Sequence, residues 1–570
     1  MAEYTAPCGE SYIHLERTIR DDGIKTVGAC LAKNAAELGE GEALVFVTPG
    51  AQYERNVVTW RQLHENSFNV ARALLKLGLR KGECVAINLR SCPEWVYLTF
   101  GCMVAGLRPA CLSFTYTDGS DVVATMERLQ TCALLVMDPG ENGEKWGVLE
   151  PLLDSHSNDA SAKSSRMPYL RYLLGHEVST NILSNVKKLT DLLYTDSSDM
   201  TLPEISEDDI ALLLQTSGST GVPKLAAHTH RSILTPRYLH PETIMFDRSL
   251  RVYCDRPFTW VGGFPFQVLT GQTRVTTSGF ASSGADLMDA TVQIIQRERC
   301  TLMYVLPPFL HEMIRRKDKI PSDWPLRYIL TGGQPITRGA VQCIGPLCDS
   351  VVCAYGGTEF IICGLGVVTD IENFVEFSCG KVITGPGFEF KIVDKGGKVV
   401  PMNERGEIFI RSRVIFKEYY NDPEKTKEVF TDNGWYKTDD LGRMTSDGNI
   451  FVEGRKSNMI ISGGMNVAPE ILERVLRNCP GVGAAALVPV PDPVFYQVVC
   501  ACVIKQDGSD LTEETLRRFC EDYHNDRPGV FTVLPTFYMF LDEFPLLLSG
   551  KLSRKDLNKL AQERVMPALK

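Results

Sequence analysis

The first half of the chain alternates between hydrophobic patterns typical of helices and of buried strands. Residues 59–83 carry apolar side chains at helical spacing and reach a stop at Gly78, which predicts an amphipathic helix. The apolar run 84–89 (CVAINL) predicts a buried strand, and residues 94–112 predict a second helix that leads into a strand. The alternation resumes over 211–352 and favours a layered α/β domain.

The second half changes character twice. Over 380–452 short apolar runs alternate with glycine turns and no long helix is predicted, which indicates a small β unit. After Gly454, helical and strand-like runs alternate again, with Pro469 in the first turn of one helix and Thr512 capping another. This pattern predicts a compact α+β domain.

Together these patterns predict an α/β protein of two domains. The first, 1–454, contains layered α/β subdomains plus the small β unit, and the second, 455–570, is the α+β domain.

Composition and charge exclude some classes of function. The 570 residues are 44% hydrophobic and 23% charged, with a net charge of −10 and no basic stripe, which argues against a nucleic-acid binder. The 18 cysteines form no C-x-x-C pair and no Cys/His cluster of zinc spacing, so we expect reduced thiols in a reducing compartment.

Targeting signals are weak. Three glutamates (Glu3, Glu10 and Glu16) precede the first arginine, unlike a mitochondrial presequence, and the longest apolar run, 96–107, is too short to cross a bilayer. We therefore expect a cytoplasmic protein without a transmembrane segment, with the mitochondrion as the alternative. The pattern leaves the oligomeric state open.

The stretch TSGSTGVPK (216–224) has the chemistry of a phosphate-binding loop. Backbone N–H groups exposed by glycines, several hydroxyls and a lysine can all bind phosphate; the candidates are Thr216, Ser217, Gly218, Ser219, Thr220, Gly221 and Lys224. It is not a Walker loop, because Leu225 after the lysine lacks a hydroxyl and Pro223 disfavours a helical residue before it. We predict strand, loop, strand, against the alternative of a surface Ser/Gly linker.

Two later stretches add acidic groups. AYGGTE places Thr358 and Glu359 on a glycine turn after a strand, a pair that suits a magnesium-bound phosphate. GWYKTDD places Asp440 in a predicted turn, where its two acceptor oxygens could hold a ribose diol. When each stretch is considered alone, an ordinary turn without a ligand is an equally good explanation.

Two more stretches add cations. GRKSNMIISGG places Arg455 at the predicted domain boundary, ahead of the glycine pair Gly463 and Gly464, and PLLLSGKLSRKDL places Lys551 on a Ser–Gly turn before a helix cap. An interdomain linker and a surface lysine are the plain alternatives.

In this order, the five motifs resemble the AMP-forming acyl-adenylating superfamily, which includes acyl-CoA synthetases, peptide-synthetase adenylation domains and beetle-type luciferases. The resemblance extends from about Val58 to Leu557 and is closest to the medium-chain acyl-CoA ligases of animals. It implies a hinged C-terminal domain and the cofactors ATP, CoA and Mg²⁺.

The resemblance also implies residue roles. The loop 216–224 would hold the ATP phosphates, and Gly333, Gln334, Tyr355 and Gly356 would flank the adenine. Thr358 would contact the α-phosphate, Glu359 would hold magnesium, and Asp440 and Arg455 would bind the ribose. Lys551 would stabilise the adenylation step, after which rotation about Lys456–Ser457 would bring Gly463 and Gly464 to a pantetheine tunnel.

Several positions depart from the family pattern, mostly at the hinge, the thiol side and the acyl pocket. They are Asp439, Leu225, Thr259, Ser457, Asn458, Met465, Tyr496 and Gln497. The leading interpretation is an enzyme that joins a carboxylic acid to CoA. The acid is expected to be fatty, possibly of medium chain length, with an aryl acid left open. The alternatives are another acceptor or an oxidative fate for the adenylate, and a nucleotide- or acyl-binding pseudoenzyme. The aromatic run PFTWVGGFPF predicts an acyl pocket wall near Phe258 and Trp260, or a buried core strand.

Overall fold

The computed structural model describes most of the chain. The described residues are 9–15, 23–114, 119–140, 142–176, 183, 185–216, 224–238, 247–277, 287–333, 335–383, 387–456, 459–462, 465–467, 469–492, 496–526, 533–547 and 550–565.

Strands and helices alternate over much of this part of the chain. The strands are β1 (Tyr12–His14), β2 (Glu42–Thr48), β3 (Glu54–Thr59), β4 (Cys84–Asn88), β5 (Arg108–Cys111), β6 (Cys132–Met137), β7 (Ser155–His156), β8 (Ala162–Lys163), β9 (Tyr172–Gly175), β10 (Lys187–Lys188), β11 (Ile210–Gln215), β12 (Leu225–Thr229), β13 (Arg251–Tyr253), β14 (Thr273–Thr277), β15 (Leu302–Tyr304), β16 (Tyr328–Gly332), β17 (Ser350–Tyr355), β18 (Gly364–Val368), β19 (Ser378–Val382), β20 (Glu389–Val393), β21 (Gly406–Arg411), β22 (Glu418–Tyr419), β23 (Tyr436–Met444), β24 (Asn449–Arg455), β25 (Ile460–Ser462), β26 (Met465–Val467), β27 (Val482–Asp492), β28 (Tyr496–Lys505) and β29 (Phe537–Phe540). The α-helices are α1 (Val27–Leu38), α2 (Trp60–Lys76), α3 (Pro93–Val104), α4 (Ser120–Leu129), α5 (Glu144–Leu149), α6 (Leu189–Leu193), α7 (His230–Ile233), α8 (Gln267–Thr270), α9 (Leu287–Glu298), α10 (Pro307–Arg315), α11 (Arg338–Val341), α12 (Pro423–Val429), α13 (Pro469–Arg477), α14 (Glu513–Asp526) and α15 (Arg554–Val565).

Two large sheets make up the N-terminal part. Fourteen of the described strands form one sheet in the order β1-β20-β21-β23-β24-β19-β18-β17-β16-β15-β13-β14-β2-β3. Eight form a second sheet in the order β10-β9-β6-β4-β5-β11-β12-β22. The strands from β17 to β2 are parallel neighbours, as are those from β10 to β11, which is the pattern expected where helices connect consecutive strands.

Helices are packed between the two sheets. On one face of β4 and of β2, residues such as Val85 and Phe46 belong to the same buried cluster as Trp95 and Phe100 of α3. On the opposite faces, Ala86 of β4 and Val45 of β2 belong to two other clusters. This division follows from the period of two in a strand, which sends successive side chains to opposite faces. The predicted layered α/β architecture is confirmed.

The predicted β unit forms strands, but they extend the fourteen-stranded sheet through β18 and β19 instead of closing on themselves. The predicted turn at Asp440 is wrong: the residue lies within β23, between β21 and β24. The strands on both sides supply backbone hydrogen-bond partners, and two adjacent acidic residues in the sequence do not reveal such partners.

Helix boundaries follow the sequence signals. Thr59 caps α2 in a capping box with Gln62, and Gly78 has φ 103°, the left-handed conformation that ends the helical segment. Thr512 accepts a hydrogen bond from the Thr515 amide at 3.2 Å, as expected for an N-cap of α14.

The last strands form a separate sheet, in the order β26-β25-β28-β27, with β29 paired to β28. Helices α13 and α14 cover one face, and α15 packs with the apolar residues of the other. Within the described residues, no helix combines the length and apolar character that a membrane span requires. Every cysteine described is buried, and no two of these described cysteines form a disulfide.

Candidate active site

The candidate site lies where the two large sheets meet. Strand β17 of the fourteen-stranded sheet ends at Tyr355 and runs directly into Gly356. A side chain at Gly356 would place its Cβ 2.1 Å from the carbonyl oxygen of Ile361, so the turn carrying Thr358 and Glu359 closes only around a glycine. The eight-stranded sheet faces this turn with β12 and β22.

The space between the two sheets at this junction is called the cleft below. Tyr355, Asp440 and Arg455 form a connected group at one side of it. The Tyr355 hydroxyl donates to Asp440 Oδ2 at 2.6 Å, and Arg455 Nε lies 2.8 Å from Asp440 Oδ1. Asp440 and Arg455 are direct partners across β23 and β24. Burial raises the pKa of Asp440, and the Arg455 charge and the Tyr355 hydrogen bond oppose that shift. Arg455 stays half exposed, with its guanidinium open to a ligand.

Glu359 is held from the other sheet. The hydroxyl of Tyr419, on the edge strand β22, donates to Glu359 Oε1 at 2.7 Å. The same aromatic ring lies 4.3 Å from Lys224 Nζ. Burial and the Glu359 charge together raise the pKa of Tyr419, so the phenol stays protonated and donates. Tyr419 therefore joins the carboxylate to the lysine of the phosphate loop.

Thr358 is positioned through its backbone. His228 Nε2 lies 2.7 Å from the Thr358 carbonyl oxygen, and burial lowers the pKa of His228 to about 4, so its imidazole is neutral at pH 7. A neutral imidazole in contact with a carbonyl donates to it. The contact fixes the Thr358 backbone and leaves its side chain partly exposed to the cleft.

Strands β11 and β12 flank the stretch 216–224, as predicted. The Thr216 amide donates to the Lys224 carbonyl at 2.9 Å, which closes the antiparallel pair β11 and β12. The Thr216 hydroxyl is buried and makes no hydrogen bond within the described residues. Ser217, Gly218, Ser219, Thr220 and Gly221 lie outside the described residues.

Lys551 lies between β29 and α15, in the C-terminal part of the chain. Burial, and then the positive charge of Arg455, lower the pKa of Lys551. Its backbone turn is closed by the Leu547 amide, which donates to the Lys551 carbonyl at 2.7 Å. The charge of Arg455 therefore acts on Lys551, although the two residues lie in different parts of the chain.

Contacts between the domains hold this arrangement. Arg474 Nη1 of α13 lies 2.7 Å from Glu376 Oε2, and the guanidinium sits 4.8 Å from the Phe377 ring. A Cβ at Gly454 would approach the Glu470 carboxylate to 2.6 Å, so α13 packs closely against the end of β24.

The remaining predicted residues are partly accounted for. Gly333 follows β16 with φ 81°, and Leu306 lies 3.4 Å from where its Cβ would be. Gln334, Gly463, Gly464 and Ser457 lie outside the described residues. The structure thus brings together Thr216, Lys224, Tyr355, Gly356, Thr358, Glu359, Asp440 and Arg455.

Two contact residues were not predicted from the sequence. His228 stands in a run of short residues, and Tyr419 is one of two adjacent tyrosines; neither stretch has a motif. Both act across the junction of the two sheets, and a pairing of that range leaves no local signal in the sequence.

Asp439 is one of the departures from the family pattern, and its backbone conformation shows why glycine suits this position. It has φ 62°, in the left-handed region that favours glycine, the residue usual in the family at this position. Its carboxylate also raises the pKa of Asp440.

We therefore expect Asp439→Gly to stabilise the fold by about 1 kcal/mol through relief of backbone strain. It should also lower the KM for ATP, because a carboxylate is removed from beside the proposed ribose-binding aspartate. Chemical unfolding and ATP saturation kinetics measure the two effects. Asn403→Gly is the matched control, since Asn403 also has a positive φ, of 68°. If both variants are equally stabilised and neither changes KM, the Asp439 charge has no role in ATP binding.

Comparison with known proteins agrees with this geometry. A family model described as AMP-binding enzyme matches residues 31–420, and a second, described as AMP-binding enzyme C-terminal domain, matches residues 472–551. The medium-chain acyl-CoA ligase ACSF2, mitochondrial, of Danio rerio is 27% identical over 564 residues, covering 95% of this chain and 89% of that protein.

Two further matches differ in the acid that they name. The long-chain-fatty-acid–CoA ligase FadD13 of Mycobacterium tuberculosis (strain ATCC 25618 / H37Rv) is 26% identical over 504 residues, covering 87% of this chain and 92% of that protein. The crystal structure of the anthranilate CoA ligase AuaEII with anthranoyl-AMP has a TM-score of 0.78 at 22% identity, covering 95% of this chain and 98% of that one, and shows that the fold is shared.

Proposed function

The chain belongs to the AMP-binding enzyme family, and on that premise we propose that it joins a fatty, medium-chain carboxylic acid to CoA through an acyl adenylate. That it is an ATP-dependent, AMP-forming acid–thiol ligase follows from the family models and from the relatives' names. The identity of the acid and the use of CoA are the proposed parts. The contacts that join Tyr355, Asp440 and Arg455, and those that join Glu359 to Lys224 through Tyr419, are the observation that supports the proposal most directly.

The chemistry begins with two anions that repel each other, the acid carboxylate and the ATP α-phosphate. In the proposed first step a carboxylate oxygen attacks the α-phosphorus and pyrophosphate leaves, giving the acyl adenylate. Lys551 and Arg455 place positive charge in the cleft where negative charge develops, and one such preorganised contact is worth about 3–4 kcal/mol. Asp440 and Arg455 are proposed to bind the ribose, and Thr216 and Lys224 the phosphates.

Glu359 is proposed to hold Mg²⁺. Carboxylate oxygens are ligands that this ion prefers, and Glu359 is partly exposed to the cleft. Tyr419 occupies one oxygen, Oε1, and fixes the carboxylate in place. When bound, the ion would neutralise the phosphates and orient the pyrophosphate leaving group.

In the second step, the thiol of CoA is proposed to attack the acyl carbon of the adenylate and release AMP. The two half-reactions need different groups around the same intermediate, which a rotation of 455–570 about the proposed hinge at Lys456–Ser457 supplies. This domain division remains a proposal.

A different acceptor is the second candidate. It is favoured by the departures from the family pattern at the proposed hinge, Ser457 and Asn458, and on the proposed thiol side, Met465. The cellular location stays a prediction, the cytoplasm with the mitochondrion as the alternative.

A pyrophosphate-release screen over acids, run with and without CoA, tests the proposal. We expect release with medium-chain acids and faster turnover when CoA is added, because the thiol removes the adenylate. Release that depends on an aryl acid would contradict the proposed acid class. Release that CoA leaves unchanged would favour the second candidate.

Of the two predictions for the aromatic run, an acyl pocket wall and a buried core strand, the structure contradicts the core strand. The segment 256–266 is a series of turns, not a core strand, and a Cβ at Gly263 would lie 2.0 Å from the Pro257 carbonyl oxygen. The Phe258 ring is buried 5.1 Å from that of Trp95, whereas Trp260 is only partly buried.

We expect Trp260→Ala to shift acid preference towards longer or bulkier acids, because the proposed wall loses its partly exposed ring. The change in kcat/KM should be about tenfold to a hundredfold between acids, the usual effect of one altered apolar contact. Tyr194→Ala, at an exposed tyrosine, is the control. An unchanged order of preference over a chain-length series would place the wall elsewhere.

A further inference from the structure

A second group of reactive side chains lies in the eight-stranded sheet, outside the nucleotide cleft. His176 Nε2 lies 3.4 Å from Glu94 Oε2 and 4.0 Å from Cys92 Sγ. The three donor atoms all lie within 4.8 Å of one another. From these contacts we propose that Cys92, Glu94 and His176 form a zinc-binding site with one open coordination position.

The distances from His176 Nε2 to the other two donor atoms fit a shared Zn²⁺ better than they fit direct hydrogen bonds. A tetrahedral Zn²⁺ bound at about 2.0–2.1 Å by imidazole nitrogen and carboxylate oxygen holds those atoms about 3.4 Å apart. With a thiolate at about 2.3 Å, the sulfur lies about 3.6 Å from the nitrogen. The observed 3.4 Å between His176 and Glu94 matches, and the Cys92 sulfur has to approach by only about 0.4 Å. As a hydrogen bond to a carboxylate, 3.4 Å is long.

The donor set selects the metal class. Sulfur, nitrogen and one carboxylate oxygen are the ligands of borderline-soft Zn²⁺, and three protein ligands with a fourth position open are typical of its non-structural sites. His176 and Cys92 are nine-tenths buried, whereas the Glu94 side chain is 24% exposed and offers the ion a path from solvent. No partner within the described residues bonds the buried His176 Nδ1. Among the residues that the structure describes, the polar contacts of this imidazole are therefore those of Nε2, and both are with candidate ligands.

The backbone brings these residues together at a recurrent type of binding position. His176 follows β9, and Cys92 precedes α3 just after β4, so both lie at the carboxyl ends of parallel strands. Strand β4 has β5 on one side and β6 on the other. The chain therefore adds strands first on one side of β4 and then on the other, and the end of β4 lies at this change of side. Crevices at such points are where open α/β sheets bind ligands.

Local charge is compatible with a cation. Arg90, the nearest arginine along the chain, forms a bidentate pair with Asp138, whose own pKa is lowered by that pair against the effect of burial. Cys92 is the N-cap of α3 and makes no capping hydrogen bond through its side chain. A thiolate formed on metal binding would therefore face the positive end of a helix.

The sequence alone could not show this site. Cys92 and His176 are 84 residues apart, far from any zinc-ligand spacing. None of the three residues belongs to the proposed ATP or acid machinery.

The test is zinc binding by the full-length, nucleotide-free protein after chelator treatment. We expect one Zn²⁺ per chain retained through gel filtration, and competition against a chromophoric chelator gives the affinity. Cys92→Ser and His176→Gln should each weaken binding by about a hundredfold or more, because even a group that only orients a zinc ligand is worth about 10- to 100-fold. Co²⁺ as a probe should show a thiolate-to-metal charge-transfer band that Cys92→Ser abolishes.

Two further variants keep the test decisive. Glu94→Gln changes a partly exposed residue without altering its shape, so it should fold normally and still lose affinity. Cys102→Ala, at a buried cysteine of the same helix, should bind zinc like the parent. Zinc should raise the melting temperature of the parent and of Cys102→Ala only. The proposal is overturned if the parent retains no zinc, or if Glu94→Gln and the parent bind it equally.

Discussion

Lys551→Ala should abolish the first half-reaction and spare the second. Its ammonium is needed while the carboxylate and the α-phosphate approach each other, because both are anionic. Once the acyl adenylate exists, attack by a neutral or thiolate sulfur on its carbonyl carbon no longer depends on that charge. We expect pyrophosphate release from ATP and acid to fall about a hundredfold or more, the usual effect of losing one preorganised charge.

Two rates on the purified variant measure this separation: pyrophosphate release, and thioester formation from synthetic acyl adenylate and CoA. Lys559→Ala, at a lysine of α15 that is 77% exposed, is the matched control and should retain both rates. Equal loss of both rates in Lys551→Ala would mean that the lysine serves folding or general binding. Retention of both would mean that the turn is not catalytic.

The pH dependence provides a second signature of the same lysine. Burial, and then the positive charge of Arg455, lower the pKa of Lys551, so in the free enzyme its ammonium deprotonates below the usual lysine range. As pH rises through that pKa, kcat/KM for ATP in adenylation should fall. This alkaline decline should be absent from Lys551→Ala.

Glu359→Gln should cause the second largest loss, in the magnesium dependence of adenylation. The substitution keeps the side-chain shape and an oxygen that Tyr419 can still donate to, so the fold should be unaffected. It removes the negative charge proposed to bind Mg²⁺, and we expect the rate at moderate magnesium to fall about a hundredfold. Higher magnesium should recover part of the loss.

Initial rates over a range of free Mg²⁺ at fixed ATP test this expectation. Tyr419→Phe is the graded comparison, because it removes only the hydrogen bond that orients Glu359 and should cost about tenfold. An identical magnesium curve for Glu359→Gln and the parent would show that the ion is held by other groups.

The parts of the site that the sequence revealed are those with local signals. Thr358 and Glu359 follow a buried strand on two glycines, and Lys551 lies on a Ser–Gly turn before a helix cap; each signal spans a few residues. The order of the five motifs implied that they share one site, and the contacts of Tyr355 with Asp440 and of Asp440 with Arg455 show how three of them meet.

The parts that it could not reveal depend on which strands are neighbours. Tyr419 contacts Glu359 only because β22 pairs with β12 at the edge of the second sheet. Asp440 was expected in a turn, since adjacent acids favour one, but pairing with β21 and β24 makes the segment a strand. Asp439 keeps a positive φ within that strand. Strand propensity is decided by such neighbours more than by the residues themselves.

The most direct test of the central claim follows the oxygen atoms of the acid. An acid labelled with ¹⁸O in both carboxylate oxygens is incubated with the protein, ATP and CoA, and the nucleotide products are analysed by mass spectrometry. Attack of the carboxylate on the α-phosphorus predicts AMP that carries one ¹⁸O, with the other retained in the thioester carbonyl. Label in inorganic phosphate together with ADP, or unlabelled AMP, would contradict an acyl adenylate.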